Sequence, residues 1–243
     1  MARHDSALQG VMLVALLILF PMTIQLLIHQ DESPLWKTVY VEVESEEDNE
    51  ETEARSESRS RDDVARIATF NIKVFGETKM GKADVISELV NITLRYDMLV
   101  VQEIKDLDQT VPYDFLDAIN AEANETYALV LSERSGQQDD DQGGQEQYAI
   151  YYRTSRFQAD SAWLHNDSEL DQFQREPLIA NFNLLSNNGT VLEDIAFITV
   201  HTKPANAVNE TAALHDVVET YNVNSTESDV VLLGDFNADR SEE

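Results

Sequence analysis

Four apolar runs of this chain each end in a polar side chain able to bind a cation or move a proton. The run Asp229-Val-Val-Leu-Leu-Gly-Asp-Phe-Asn237 breaks at a glycine and then delivers a carboxylate and an amide. Residues i and i+2 of an extended segment share a face, so Asp235 and Asn237 are expected to grip one target together. Asn71 closes the run from Arg66, Glu103 the run from Asp97 and His201 the run from Ile195. Hard oxygen donors beside an imidazole suit a Mg²⁺-type ion acting on a phosphate next to a general acid or base. These residues predict a metal-dependent phosphodiesterase. Taken singly, a carboxylate closing a strand is also an ordinary cap, and a strand-end histidine is more often structural.

From Arg66 onward, short apolar strands alternate with helical patterns, which predicts an α/β domain. Ala83–Tyr96 carries apolar residues at 85, 86, 89, 92 and 96, a helical stripe, and further helices are expected at 112–124 and 206–222. The run Glu146-Gln-Tyr-Ala-Ile-Tyr-Tyr-Arg153 is dense in β-favouring residues, and similar strands are expected near 127–132, 178–184 and 191–200. The patch Gln137–Gly144 holds three adjacent aspartates, read as a solvated loop in preference to a Ca²⁺ site.

The same residues carry a resemblance. Thr69-Phe-Asn-Ile-Lys-Val-Phe-Gly-Glu-Thr-Lys-Met80, Arg95-Tyr-Asp97, Val101-Gln-Glu103, Arg175-Glu-Pro177, His201 and Gly234-Asp-Phe-Asn-Ala238 resemble the ordered motifs of the deoxyribonuclease I family, within the wider endonuclease/exonuclease/phosphatase superfamily. The resemblance implies a two-sheet α/β sandwich with its active site at one end of the sheets. It implies Glu103 as the principal metal-binding carboxylate with Asn71 beside it, for Mg²⁺, with Ca²⁺ or Mn²⁺ as alternatives. It makes His201 the histidine that protonates the leaving oxygen and Glu146 the acid that orients it, with Asp235 and Asn237 contacting water, metal or phosphate. Arg175 matches a phosphate-contacting arginine, whose planar fork makes two charge-assisted bonds to one phosphate. Lys73 and Lys105 stand where the family often has arginines facing the nucleic-acid backbone; lysine keeps the charge and loses the fork. His165 and His215 match nothing and are expected on the surface. DNA is the implied substrate, and no protein partner is inferred.

Two features depart from that pattern. The family's second catalytic histidine lies in a Ser-Asp-His motif, with a further aspartate upstream, and this sequence stops at Glu243 before either. The expectation is therefore a domain incomplete at its C-terminus, lacking the last strands of the second sheet and inactive by itself. The other departure is charge: residues 66–243 carry 32 acids against 12 Lys/Arg, a net of −20, whereas nucleic-acid binding rests on positive surface. Acid spread along a lysine-poor domain fits a protein working in concentrated salt, where a Debye length near 3 Å at roughly 1 M hides self-repulsion. A halophilic source is the expectation.

The N-terminal part is not domain-like. Residues 1–10 read as a cytoplasmic N-terminus. Val11–Ile28 holds no charged residue, about the length that crosses a bilayer, and reads as a transmembrane helix. Arg3 precedes it and Asp31 and Glu32 follow it, a bias that puts the bulk of the chain outside the cell membrane. A long cleaved signal peptide, giving a secreted protein, is the alternative. Residues 29–65 read as a disordered linker, with eleven acids against three arginines between Glu42 and Asp63. There is no cysteine, so neither disulfides nor a thiolate metal site enter. Six Asn-x-Ser/Thr sequons, at Asn91, Asn124, Asn166, Asn188, Asn209 and Asn224, fit an exported glycoprotein. Beside the endonuclease reading stand a relative acting on a lipid or other small phosphodiester and an inactive surface glycoprotein.

Overall fold

The computed structural model describes residues 26–29, 37–41, 64–136, 144–225 and 229–238. Two sheets face each other. The first has six strands in the order β1 (Leu26–His29), β2 (Lys37–Val41), β3 (Ala65–Phe75), β4 (Met98–Ile104), β6 (Gln147–Arg153), β5 (Tyr127–Leu131). The second runs β10 (Val230–Asp235), β9 (Val191–His201), β8 (Leu178–Leu185), β7 (Phe157–Leu164). Helices α1 (Glu77–Met80), α2 (Ala83–Thr93), α3 (Val111–Glu122) and α4 (Ala207–Asn224) complete the fold.

Period-2 alternation sorts side chains into three layers of core. Ile67, Met98, Val100, Ile150 and Tyr152 point from the first sheet towards Leu178, Phe182, Ile195 and Phe197 of the second. Phe157, Phe182 and Phe197 pack edge to face there, with ring centroids 5.8–6.3 Å apart, a geometry that adds about 0.5–1.5 kcal/mol per pair beyond buried area. The other face of the first sheet, with Leu99, Val101 and Tyr151, takes Ile86, Leu89 and Val90 of α2 and Phe115 and Ile119 of α3. Ile198 and Val200 on the outer face of the second sheet take Leu214, Val217 and Tyr221 of α4. The expected α/β sandwich is therefore present, with helices on both outer faces.

Several expectations shift. Strand β7 has no counterpart among the expected strands: Phe-Gln-Ala-Asp-Ser-Ala-Trp-Leu is half polar because it forms the edge of its sheet and buries only alternate residues. The stretches read as anchor and linker contain two short strands, β1 and β2, the latter paired antiparallel to β3; residues 11–25 and most of 29–63 lie outside the described residues, as do the three adjacent aspartates. Among the described residues no helix is long and apolar enough to cross a membrane.

The topology gathers one end of the sandwich. β3 runs parallel to β4 with Asn71 opposite Gln102, and β9 parallel to β10 with His201 opposite Asp235. Parallel strands finish at the same edge. β6 and β8 run antiparallel to β4 and β9, so the residues just before them, Glu146 and Arg175, start where their neighbours end. Gly234 makes the last step possible. Its φ is +139°, and a Cβ there would lie 1.9 Å from the Val200 carbonyl oxygen, so only glycine lets β10 lie against β9 immediately before Asp235.

Candidate active site

Two bulges aim the first side chains. Pairing of β3 with β4 slips between Asn71 and Phe75, and pairing of β4 with β6 slips between Val101 and Ile104. Lys73, Val74 and Glu103 all hold positive φ, +56°, +54° and +64°. Each such non-glycine residue costs about 1–3 kcal/mol and persists where surrounding structure over-determines it, and bulges at a sheet rim re-aim side chains. Lys79 of α1 supplies part of that determination, since its ammonium donates to the carbonyls of Ile72 and Lys73.

His201 is the centre of the site and is buried. Its backbone N–H donates to the Tyr148 hydroxyl at 3.0 Å, and its carbonyl accepts from Arg175 Nη1 at 3.0 Å. The ring is held by Glu146, whose Oε2 lies 2.7 Å from Nδ1. Glu146 is itself pinned by a pair of backbone hydrogen bonds with Ser135. Arg175 Nε lies 2.9 Å from Oε2 and Lys105 Nζ 3.3 Å from Oε1. Burial pushes the Glu146 carboxyl up, but the hydrogen bond and charge of His201, then Arg175 and Lys105, outweigh it and hold the group below the ordinary carboxylate range. An ionised Glu146 can only accept, so Nδ1 carries the proton and Nε2 is the ring's working nitrogen.

Across from Nε2 stand groups from both sheets. Asp235 Oδ2 is 3.8 Å away and Asn71 Nδ2 3.4 Å. Asn71 also donates to Asp235 Oδ2 at 2.9 Å, so this one amide bridges the two sheets. Its Oδ1 accepts the Lys73 N–H at 2.7 Å. Glu103 follows Gln102, the register partner of Asn71, and is half-buried; among the described residues its carboxylate accepts no hydrogen bond, and Lys79 is the cation whose field it feels.

Five of the nine expected site residues, His201, Glu146, Asp235, Asn71 and Arg175, thus meet through direct contacts, and Lys105 joins them through Glu146. Two expectations need correction, the face of Asn237 and the exposure of His165. Asn237 does not share a face with Asp235, because the strand ends at Asp235 and Asn237 turns to φ +45°. Its N–H caps Asp235 Oδ1 at 3.1 Å and its amide donates to the Thr202 carbonyl at 2.8 Å, so it fixes the loop behind His201. Arg175 and Lys105 both turn inward onto Glu146, because a buried carboxylate needs counter-charge. Lys73 is exposed on the bulge. His215 is exposed, whereas His165 is half-buried with its ring edge against Phe173.

Three residues in the site carry no signal in the sequence. Tyr148 faces the inter-sheet core from a strand, and nothing local announces that its hydroxyl receives the His201 N–H. Lys79 lies within a matched motif, yet its reach back to β3 depends on α1 folding onto the bulge. Glu210 is fully buried on α4 and accepts the Lys203 N–H at 3.1 Å, holding the segment just past His201. Burial raises its carboxyl above the ordinary range, against hydrogen bonds from the Lys203 and Gln174 backbone.

Comparison with known proteins places this geometry. The model of the Endonuclease/Exonuclease/phosphatase family matches residues 68–243. Deoxyribonuclease-1 of Oryctolagus cuniculus is 36% identical over 180 residues, which is 72% of this chain and 62% of that protein. Deoxyribonuclease-1 of Homo sapiens is 37% identical over 177 residues, 71% of this chain and 60% of that protein. The chain therefore spans about three fifths of the length of these relatives. Among solved structures, an endonuclease/exonuclease/phosphatase family protein from Leptotrichia buccalis aligns with a TM-score of 0.48 at 17% identity, covering 71% of this chain and 66% of the other.

Proposed function

The chain belongs to the Endonuclease/Exonuclease/phosphatase family, and from that premise we propose that it is a divalent-metal-dependent, deoxyribonuclease I-like endonuclease that hydrolyses DNA. The observation that carries this reading is the array Glu146–His201 facing Asp235 and Asn71, built from both sheets at one edge. Glu146 holds the ring by Nδ1–H, leaving Nε2 to give a proton to the leaving oxygen. Asp235 is fixed by the Asn71 amide and the Asn237 N–H and faces the same space, where it orients the attacking water. Glu103 and Asn71 fit a hard cation: a half-buried carboxylate that accepts no hydrogen bond among the described residues follows the ladder partner of Asn71, whose amide oxygen has one lone pair uncommitted. A Mg²⁺ ion, with Ca²⁺ or Mn²⁺ as alternatives, would supply polarisation of a phosphoryl oxygen there. The uncharged residues 11–25, which precede β1, support an exported domain tethered to the membrane.

Joined to a segment that supplies the family's second histidine, the chain is expected to nick supercoiled plasmid in Mg²⁺ and to stop when the ion is chelated. Cleavage of bis-p-nitrophenyl phosphate without any cleavage of DNA would instead favour a small-phosphodiester substrate, a reading the net charge of −20 on residues 66–243 suits. That charge also supports a halophilic source and yields a second expectation. Screening should raise the melting temperature steadily from low to multi-molar KCl, because like charges on the surface repel less as the Debye length shrinks. A melting temperature flat or falling over that range removes the halophile reading.

A further inference from the structure

The domain's lysines are not scattered. Residues 66–243 hold five, Lys73, Lys79, Lys82, Lys105 and Lys203, and every one lies at the site end of the sandwich. Lys79 and Lys105 are committed to the site's own structure, the former to the β3 carbonyls and the latter to Glu146. The other three are exposed, and among the described residues their ammonium groups make no hydrogen bond or ion pair. Lys73 follows Asn71 by two residues, Lys82 opens α2 just beyond α1, and Lys203 follows His201 by two. Because Asn71 and His201 lie 3.4 Å apart across the two sheets, Lys73 and Lys203 flank the reacting groups from opposite sides, each within about 7 Å of chain.

The local charge inverts the global one. Stretches 71–83 and 201–209 together hold four lysines and a single acid, Glu77, while the rest of residues 66–243 holds 31 acids and 8 Lys/Arg. Burial is what chiefly pushes the Lys79 ammonium towards its neutral form; Glu103 opposes it, and Lys82 and Lys73 add to it. Cations gathered this closely repel one another, and the arrangement is favourable where a polyanion arrives to neutralise them. The arginines differ in use: Arg134 donates to the Asp106 and Gln145 carbonyls, Arg153 to Glu125 and the Leu94 carbonyl, and Arg156 to Asn187. They tie loops together, whereas Lys73, Lys82 and Lys203 face outward.

We propose that Lys82 and Lys203, together with Lys73, form a phosphate-contacting rim through which this acidic domain holds the nucleic-acid backbone on either side of the cleaved bond. The proposal rests on the nuclease reading and adds to it the residues that grip the strand. The test measures binding of a short labelled DNA duplex by the full chain in chelator, across the salt range where the chain stays folded. The variants are Lys82→Gln with Lys203→Gln, the matching pair Lys82→Arg with Lys203→Arg, and Arg95→Gln. Arg95 is exposed and precedes β4, at the opposite end of the sheet from Glu103. Deleting one lysine–phosphate interaction should lower the log–log salt slope by about 0.9. The double glutamine variant is therefore expected to drop by nearly two units of slope, and the arginine pair and Arg95→Gln by none. If the wild type binds DNA, and nicks it once joined to a segment that supplies the second histidine, but the double glutamine variant keeps the full slope, the rim is overturned and the nuclease reading stands. If the wild type does not bind DNA and the extended chain does not nick it, both fall.

Discussion

In the chain joined to a segment that supplies the second histidine, replacing His201 by alanine is expected to slow DNA cleavage by on the order of 10²–10⁴-fold while the protein still folds. The fold should survive because the main-chain hydrogen bonds of this residue, the N–H to Tyr148 and the carbonyl from Arg175, do not involve the ring. Glu146 would lose one partner and keep Arg175 and Lys105, so its charge stays compensated. What disappears is Nε2, the nitrogen facing Asp235 and Asn71. Initial nicking rates of wild type and variant, with circular dichroism spectra alongside, make the comparison. A loss of only a few-fold with an intact spectrum would make His201 structural.

The pH behaviour of the Glu146–His201 pair follows from the direction of one shift. Glu146 titrates below its ordinary range in the folded chain. A group whose folded pKa is depressed contributes stability that is present above its unfolded pKa and lost as pH falls through the folded one. Its contribution should thus be intact at neutral pH and disappear only under acid below the usual carboxylate range. Any loss of rate at mildly acidic pH must then come from a group other than Glu146.

Much of this site is legible in the sequence, for a physical reason. A buried strand advertises itself by an apolar run, and a polar residue closing that run must stand at a sheet edge. Four such endings, Asn71, Glu103, His201 and Asp235, define the edge, and parallel pairing of β3 with β4 and β9 with β10 brings them into line. The corrections share the opposite character. Strand periodicity puts Asn237 on the face of Asp235, but periodicity ends where φ turns positive. The turn of Arg175 and Lys105 towards Glu146 is not legible because a sequence cannot say that this carboxylate is buried between them. Strand β7 escapes its pattern because an edge strand buries one face only, leaving the exposed Gln158 and Asp160 to dilute it. Residues that close a strand are placed by its run, whereas those beyond a strand end, Lys105, Arg175 and Asn237, are set by contacts that no run announces.

Glu103→Gln tests the other half of the chemistry, and it should remove most Mg²⁺-dependent nicking. The substitution keeps side-chain length and hydrogen-bonding shape while deleting the one charge that a hard cation needs. It should not disturb the fold, since among the described residues the Glu103 carboxylate accepts no hydrogen bond and its backbone is set by the bulge. Loss of the charge also removes the attraction that favours the ammonium of Lys79, yet Lys79 retains its two carbonyl acceptors on β3, so the positive-φ turn at Lys73 and Val74 should hold. The discriminating measurement is the Mg²⁺ dependence of the rate. If Glu103 holds the ion, the variant should need far higher Mg²⁺ for any residual activity, with the melting temperature in chelator unchanged from wild type. A variant with wild-type activity at the same Mg²⁺ concentration would place the ion elsewhere and leave the strained conformation of Glu103 without a catalytic reason.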